Sequence, residues 1–267
     1  MLKAEINGRP ATSDQLAALA FAGYGHYSSL EVRGHKVRGL GLPLSRLRDS
    51  AQELFGRPLD GERVRAYLRH AIAETPGDVS VRINVFSFDT RGLWSGAAVE
   101  PDVLIRVSPP IPADATPLRV TSVAFERCLP HLKNVATMGL WRHTRQARQA
   151  GFDDALFVDR DGFVSEGSTW NIAFLDGNEV VWPAAPALPG IAKLAAQHGL
   201  ERLGIPTRTE PVHLTRLGSY QAAALMSSIT AGQPIAAIDD IHFERGPSDM
   251  LIETLHRADE AVPLEEI

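Results

Sequence analysis

Residues 108 to 117 read SPPIPADATP, with four prolines in ten positions. Each proline fixes its own φ and removes a backbone donor, so neither a helix interior nor a sheet ladder can run through this stretch. It divides the 267-residue chain and predicts an N-terminal domain over 1–107, a stiff linker over 108–117 and a C-terminal domain over 118–267. Both halves are long enough to bury a core.

In the first half, MLKAEING reads as a strand with an Asn-Gly turn, and TSDQLAALAFAG as a helix capped by Thr12 or Ser13 and stopped by Gly23. YSSLEVRGHKVRGLG predicts two strands joined through Gly34-His35. PLSRLRDSAQELFG and DGERVRAYLRHAIAETPG carry helical stripes, Leu44, Leu47, Ala51 and Leu54 in one and Val64, Tyr67, Leu68, Ala71 and Ile72 in the other. VSVRINVFSFD and DVLIRVS alternate as strands. The second half begins with a strand (LRVTSVAF) and a helix (ATMGLWRHTRQARQAG), then a strand (DDALFVD) that ends in a turn at Asp161-Gly162. NIAFLD and EVVWP form a strand pair, a helix follows Pro189-Gly190, AAALMSS and PIAAID are strands, and PSDMLIETLHRADEAV is a closing helix. Strands in hairpin order with interspersed helices predict an α+β fold rather than a doubly wound parallel sheet.

Several function classes are disfavoured at once. A net charge of -5 argues against a nucleic-acid surface. No apolar run has the length of a membrane span, and MLKAEINGRPATSD lacks an apolar signal core. The lone cysteine, Cys128, excludes an internal disulfide and fits a reducing compartment, so a cytoplasmic location is expected. The nine histidines show no metal-ligand spacing, and no metal is expected. GYGHYSSL and GLGLPL do not complete a dinucleotide fingerprint, and DRDGFVSEG lacks the later glutamate of a calcium loop.

Lysine is scarce: Lys3, Lys36, Lys133 and Lys193, against twenty-three arginines. Lys133 stands in CLPHLKNVATMG, among apolar neighbours and ahead of a helix. A pyridoxal phosphate enzyme needs one amine for a Schiff base, an acid for the pyridine nitrogen, and amide donors for a phosphate. Lys133, Glu166 in VSEGSTWNIAF, and the helix start after Pro189-Gly190 supply these in order.

LPHLKNVATMG, AGFDDALFVDRDGFVSEGSTWNIAFL and WPAAPALPGIAKL together resemble the class IV aminotransferases, the fold-type IV pyridoxal phosphate enzymes. Glu166, Ser168, Asn171, Ile172, Leu188, Gly190, Ile191 and Lys193 match that family's signature, and the likeness runs from about residue 22 to about 240. The resemblance implies a two-domain α+β fold, pyridoxal 5'-phosphate as cofactor, amino and keto acids as small-molecule substrates, and a homodimer. It makes Lys133 the catalytic amine. It assigns Arg46, Glu166, Asn171, Ile191, Ala192, Ser228 and Ile229 to the cofactor, and Tyr24, His26, Tyr27, Ser29, Arg82 and Thr230 to the substrate. Arg82, on an alternating strand, is the best candidate for an amino acid's carboxylate.

The chain departs from the branched-chain members at several points. Met138 stands where they place a tyrosine, Pro43 replaces a helix histidine, and Ala192 replaces a threonine. Those substitutions disfavour a branched-chain substrate. YSSLEVRGHKVRGL is also similar to aminodeoxychorismate lyase, with Ser28 or Ser29 near the lyase's threonine. Aminotransfer is therefore the expected reaction, with pyruvate-releasing elimination as the alternative and a non-catalytic binding protein of the same fold as a further one.

Overall fold

Asn7 and Gly8 both take positive φ, 51° and 74°, the backbone a two-residue hairpin turn needs. They open the first unit of a computed structural model that describes residues 3–267. Met1 and Leu2 of the predicted first strand lie outside the described residues. The elements in order are β1 (Lys3–Ile6), β2 (Arg9–Pro10), α1 (Ser13–Ala20), β3 (His26–Val32), β4 (Lys36–Arg38), α2 (Gly41–Phe55), α3 (Gly61–Ile72), β5 (Val79–Phe86), α4 (Thr90–Ser95) and β6 (Asp102–Ser108). Thr12, not Ser13, caps α1 in a reciprocal box with Gln15, and the helix stops at Phe21 rather than Gly23. The short α4 escapes the sequence because six residues carry too little periodicity.

The five strands pair antiparallel in the order β2-β1-β6-β5-β3, which leaves β3 at an edge. Alternation puts Leu30, Val32, Val81, Ile83, Val103 and Ile105 on one sheet face, against Leu44, Leu47, Ala51 and Phe55 of α2 and Val64 and Leu68 of α3. Leu264–Glu266 returns from the C-terminus to pair with β4, a three-residue strand that sequence reading missed.

The chain divides into two units. The first holds the chain through Pro112 together with Leu132–Ala136 and Pro263–Ile267; the second holds Ala113–His131 and Thr137–Val262. The second contains β7 (Leu118–Ala124), α5 (Met138–Gln149), β8 (Asp154–Val158), β9 (Val164–Gly167), β10 (Asn171–Asp176), β11 (Glu179–Pro183), α6 (Ile191–Leu203), β12 (Thr207–Glu210), a 3-10 turn (Leu214–Ser219), β13 (Ala222–Met226), β14 (Gln233–Ile238), β15 (Ile241–His242) and α7 (Arg245–Glu260). Its sheet runs β12-β11-β10-β13-β14-β7-β8-β9, with β15 beside β14. β11–β12, β14–β7 and β7–β8 are parallel and the remaining pairs antiparallel. The fold is α+β, as the hairpin order predicted.

Trp182, Leu175, Ala224 and Met226 pack with Leu200 of α6 and Leu251 and Leu255 of α7. Val120, Leu156, Trp170, Ile172 and Ile235 form a second cluster. Glu166, expected between a turn and a strand, lies within β9 itself. No helix among the described residues is long and apolar enough to cross a membrane.

Candidate functional site

The functional candidates form two groups, one in each unit. In the first, Leu132–Ala136 runs along the outer edge of β3. Tyr27 N–H donates to Lys133 O at 2.9 Å, Val135 N–H donates to Gly25 O at 3.0 Å, and His26 and Asn134 form an antiparallel bridge. An edge strand presents unpaired backbone groups, and this segment takes them up. Leu132, 2% exposed, anchors it. Lys133 Nζ then lies 5.0 Å from the centroid of the Tyr27 ring, and the Arg82 guanidinium lies 3.8 Å from the same centroid. Both cations are attracted by the ring's π face. Tyr27, Ser29 and Arg82 share the sheet face opposite α2 and α3, because they alternate with the core residues. Arg82 Nε also donates to Asn84 Oδ1 at 3.2 Å.

His26 and Ser28 alternate to the helix-facing side. Arg46 Nη2 donates to Ser28 Oγ at 2.7 Å. His26 is buried against Phe55, and burial, helped by the Arg46 charge, holds its pKa down at about 3. The ring is therefore neutral near pH 7. Tyr24 is half exposed, donates its hydroxyl to Leu54 O at 2.9 Å and sets its ring edge-on to Phe55.

In the second unit, Glu166 is buried on β9, and Arg127 Nη1 lies 3.7 Å from its Oε1. Both side chains are almost fully enclosed, at 6% and 4% exposure, so the charges are little screened. Arg127 Nε and Nη2 have no hydrogen-bond partner within the described protein. Sequence reading passed over Arg127: one arginine among twenty-three, in a segment without periodicity, carries no signal. Lys193 lies 5.7 Å from the Trp182 ring; burial pulls its amine below the usual lysine range, and the Glu166 charge opposes that pull.

The turn from β9 to β10 is fixed by a buried carboxylate. Asp154 accepts from Ser168 Oγ at 2.8 Å, from Trp170 Nε1 at 2.8 Å and from Thr144 Oγ1 at 3.1 Å. Asn171, at the start of β10, donates through Nδ2 to Leu188 O at 2.8 Å. A Cβ on Gly190 would fall 1.9 Å from Asn171 Oδ1, so no side chain fits there. Gly190 caps α6 without a side-chain acceptor, and the first turn's N–H groups, including those of Ile191 and Ala192, point out of the helix. Such a terminus favours an anion. Between β13 and β14, Ser228 is exposed, Ile229 N–H donates to Ser227 Oγ at 3.2 Å, and the buried Thr230 donates to Gly232 O at 3.1 Å.

The curated "Probable branched-chain-amino-acid aminotransferase" of Rickettsia bellii is 28% identical over 96 residues, 36% of this chain and 33% of that protein. The match thus spans about a third of the curated relative's length. Among solved structures, a branched-chain aminotransferase from Thermoproteus uzoniensis with norvaline shares 20% identity at a TM-score of 0.81, covering 97% of this chain and 95% of that one. A hypothetical aminotransferase from Mycobacterium tuberculosis, in a PLP-bound form, shares 21% identity at a TM-score of 0.79, covering 98% and 99%. At these identities the structures establish the fold. The pattern of the class IV amino-transferase family matches residues 25–238, four fifths of the chain, and the chain belongs to that family.

Proposed function

We propose that the protein is a pyridoxal phosphate-dependent aminotransferase that moves an amino group between an amino acid and a keto acid, with Lys133 as its catalytic amine. The observation that carries this reading is the placement of Lys133: its backbone is tied to β3 and its amine is set over Tyr27. Residues present in the chain fit the cofactor. The α6 terminus, closed to side chains at Gly190, suits a phosphate, and the buried Glu166 carboxylate suits a ring N–H.

The cofactor, when bound, supplies an aldehyde for Schiff-base chemistry and a ring that draws electrons from the substrate's α-carbon. Lys133 Nζ provides the covalent attachment, takes the proton from the substrate's α-carbon and returns it. Glu166 would accept a hydrogen bond from the ring nitrogen, with the Arg127 guanidinium 3.7 Å from its Oε1. Ile191 and Ala192 hold phosphate oxygens through N–H groups, joined by Arg46, Ser228 and Ile229. Asn171 serves the same end indirectly, by holding Leu188 and the turn before α6. Arg82 takes the substrate's carboxylate, with Tyr27 and Ser29 on the same face, and Tyr24, His26 and Thr230 complete the proposed substrate set. A homodimer belongs to the same reading.

An amino-exchange assay tests it. Wild-type protein loaded with cofactor is expected to pass an amino group from an amino-acid donor to pyruvate or 2-oxoglutarate, and Lys133→Ala to lose transfer entirely. Full activity in Lys133→Ala, or pyruvate released from aminodeoxychorismate without any keto-acid acceptor, would overturn the assignment. The second outcome would make the protein a lyase.

A further inference from the structure

Two serines stand side by side on β3, and the strand sends them to opposite faces. Ser29 lies with Tyr27 and Arg82 on the face away from the helices. Ser28 points into the core: it is 0% exposed, pairs across the ladder with Ile83, and shares its face with Leu30 and Val32. A hydroxyl taken out of water there costs stability unless it is hydrogen-bonded, a cost that valine or alanine would not carry. Its partner is Arg46 of α2, whose Nη2 donates to Ser28 Oγ at 2.7 Å.

That contact does for Arg46 what packing does for its helix neighbours. Leu44 and Leu47 are fixed against the sheet by burial, whereas Arg46 is half-buried and has a long, flexible stem. An arginine carries large rotamer entropy, and a side chain ordered in advance does not lose that freedom when a ligand arrives. Ser28 also orders the guanidinium without neutralising it: a hydroxyl is an uncharged acceptor, where a carboxylate would take up the charge. The neighbouring polar side chain on this face, His26, is buried against Phe55 and neutral near pH 7, so it adds no second charge beside Arg46.

We propose that Ser28 is a positioning residue, whose buried hydroxyl presets the Arg46 guanidinium to receive a phosphate monoester. The inference rests on the reading above, which gives Arg46 to the cofactor's phosphate. It also separates the two serines by task. A hydroxyl behind the sheet and engaged by Arg46 does not meet a substrate on the opposite face, where Ser29 stands with Tyr27 and Arg82. Of the two candidates for a lyase's threonine, Ser28 is thereby removed.

The test uses cofactor-free protein and calorimetry with two probes that share ring and aldehyde, pyridoxal 5'-phosphate and pyridoxal. Their affinity ratio reads the phosphate contact alone. Arg46→Gln is expected to lower the wild-type preference for the phosphorylated probe by roughly tenfold or more, the loss of a contact between charged groups. Ser28→Ala should lower it by roughly fivefold, the effect of ordering one long side chain only on binding, with pyridoxal affinity unchanged. Ser28→Thr, which keeps the hydroxyl, should restore most of the preference, and Ser29→Ala should leave it at the wild-type value. A ratio unchanged in Ser28→Ala, or an equal loss for both probes, would overturn the inference. A ratio unchanged in Arg46→Gln would instead overturn the assignment of Arg46 on which it rests. A wild type that does not distinguish the probes would overturn the cofactor reading itself.

Discussion

The two groups of candidate residues are built by opposite means. In the second unit, Glu166, Ser168, Trp170 and Asn171 lie within six residues, and one buried carboxylate, Asp154, ties two of them down. In the first unit, Lys133 reaches Tyr27 only because a segment more than a hundred residues away in sequence adds itself to the edge of β3. A locally encoded group is held by side-chain hydrogen bonds in the protein interior. The long-range group is held by backbone pairing and by cations over a ring. The first should fail when a single buried polar atom is removed, whereas the second should be softer and more sensitive to charge.

The largest expected effect comes from charge in the first unit. His26 has a folded pKa of about 3 against an ordinary value of 6.5. The unfolded chain therefore binds the proton that the folded chain refuses, and stability falls as pH drops through 6.5 toward 3. Full protonation costs on the order of 5 kcal/mol. Because His26 Nε2 has no hydrogen-bond partner among the described residues, His26→Phe should cost little near pH 8 and flatten this loss. Denaturant melts of both proteins from pH 8 to pH 4 check it; parallel pH profiles would refute it.

In the second unit, Asp154→Ala should destabilise by about 3 kcal/mol, since it strands the Ser168 hydroxyl and the Trp170 N–H in the interior. Urea unfolding reads this directly, and a loss under 1 kcal/mol would show that water replaces the carboxylate. Gly190→Ala should cost about 2 kcal/mol and weaken cofactor binding, because the new Cβ displaces Asn171 from Leu188. Titration of the cofactor-free variant measures the second effect. Tyr27→Leu is the mildest, about 1 kcal/mol, from the loss of the ring under Arg82 and Lys133. Tyr27→Phe should retain most of that contribution.

This contrast also explains what the sequence made legible. The turn at Asp161-Gly162, the strand from Asn171 and the helix after Gly190 follow local rules and are visible in one reading, whereas the four-residue strand that carries Glu166 is not. Arg127 beside Glu166 and the clamp of Asn171 on Leu188 are tertiary contacts with no periodic trace. In the first unit the sequence reading groups His26 with Tyr27 and Ser29, whereas the alternation on β3 puts His26 and Ser28 on the helix-facing side. What alternation cannot show is the return of Leu132–Ala136 to β3, because edge pairing depends on backbone groups that every residue has. Thr207–Glu210 and Leu264–Glu266 were missed because strands this short are set by the partner they pair with.

The central claim is that Lys133 is the amine that carries the cofactor, and its scarcity makes the claim easy to test. Borohydride reduction of the cofactor-loaded protein followed by peptide mass mapping can distinguish all four lysines, Lys3, Lys36, Lys133 and Lys193. The expected result is one pyridoxyl adduct, on the peptide that contains Lys133. An adduct on Lys193 instead, or none on Lys133, would contradict the account.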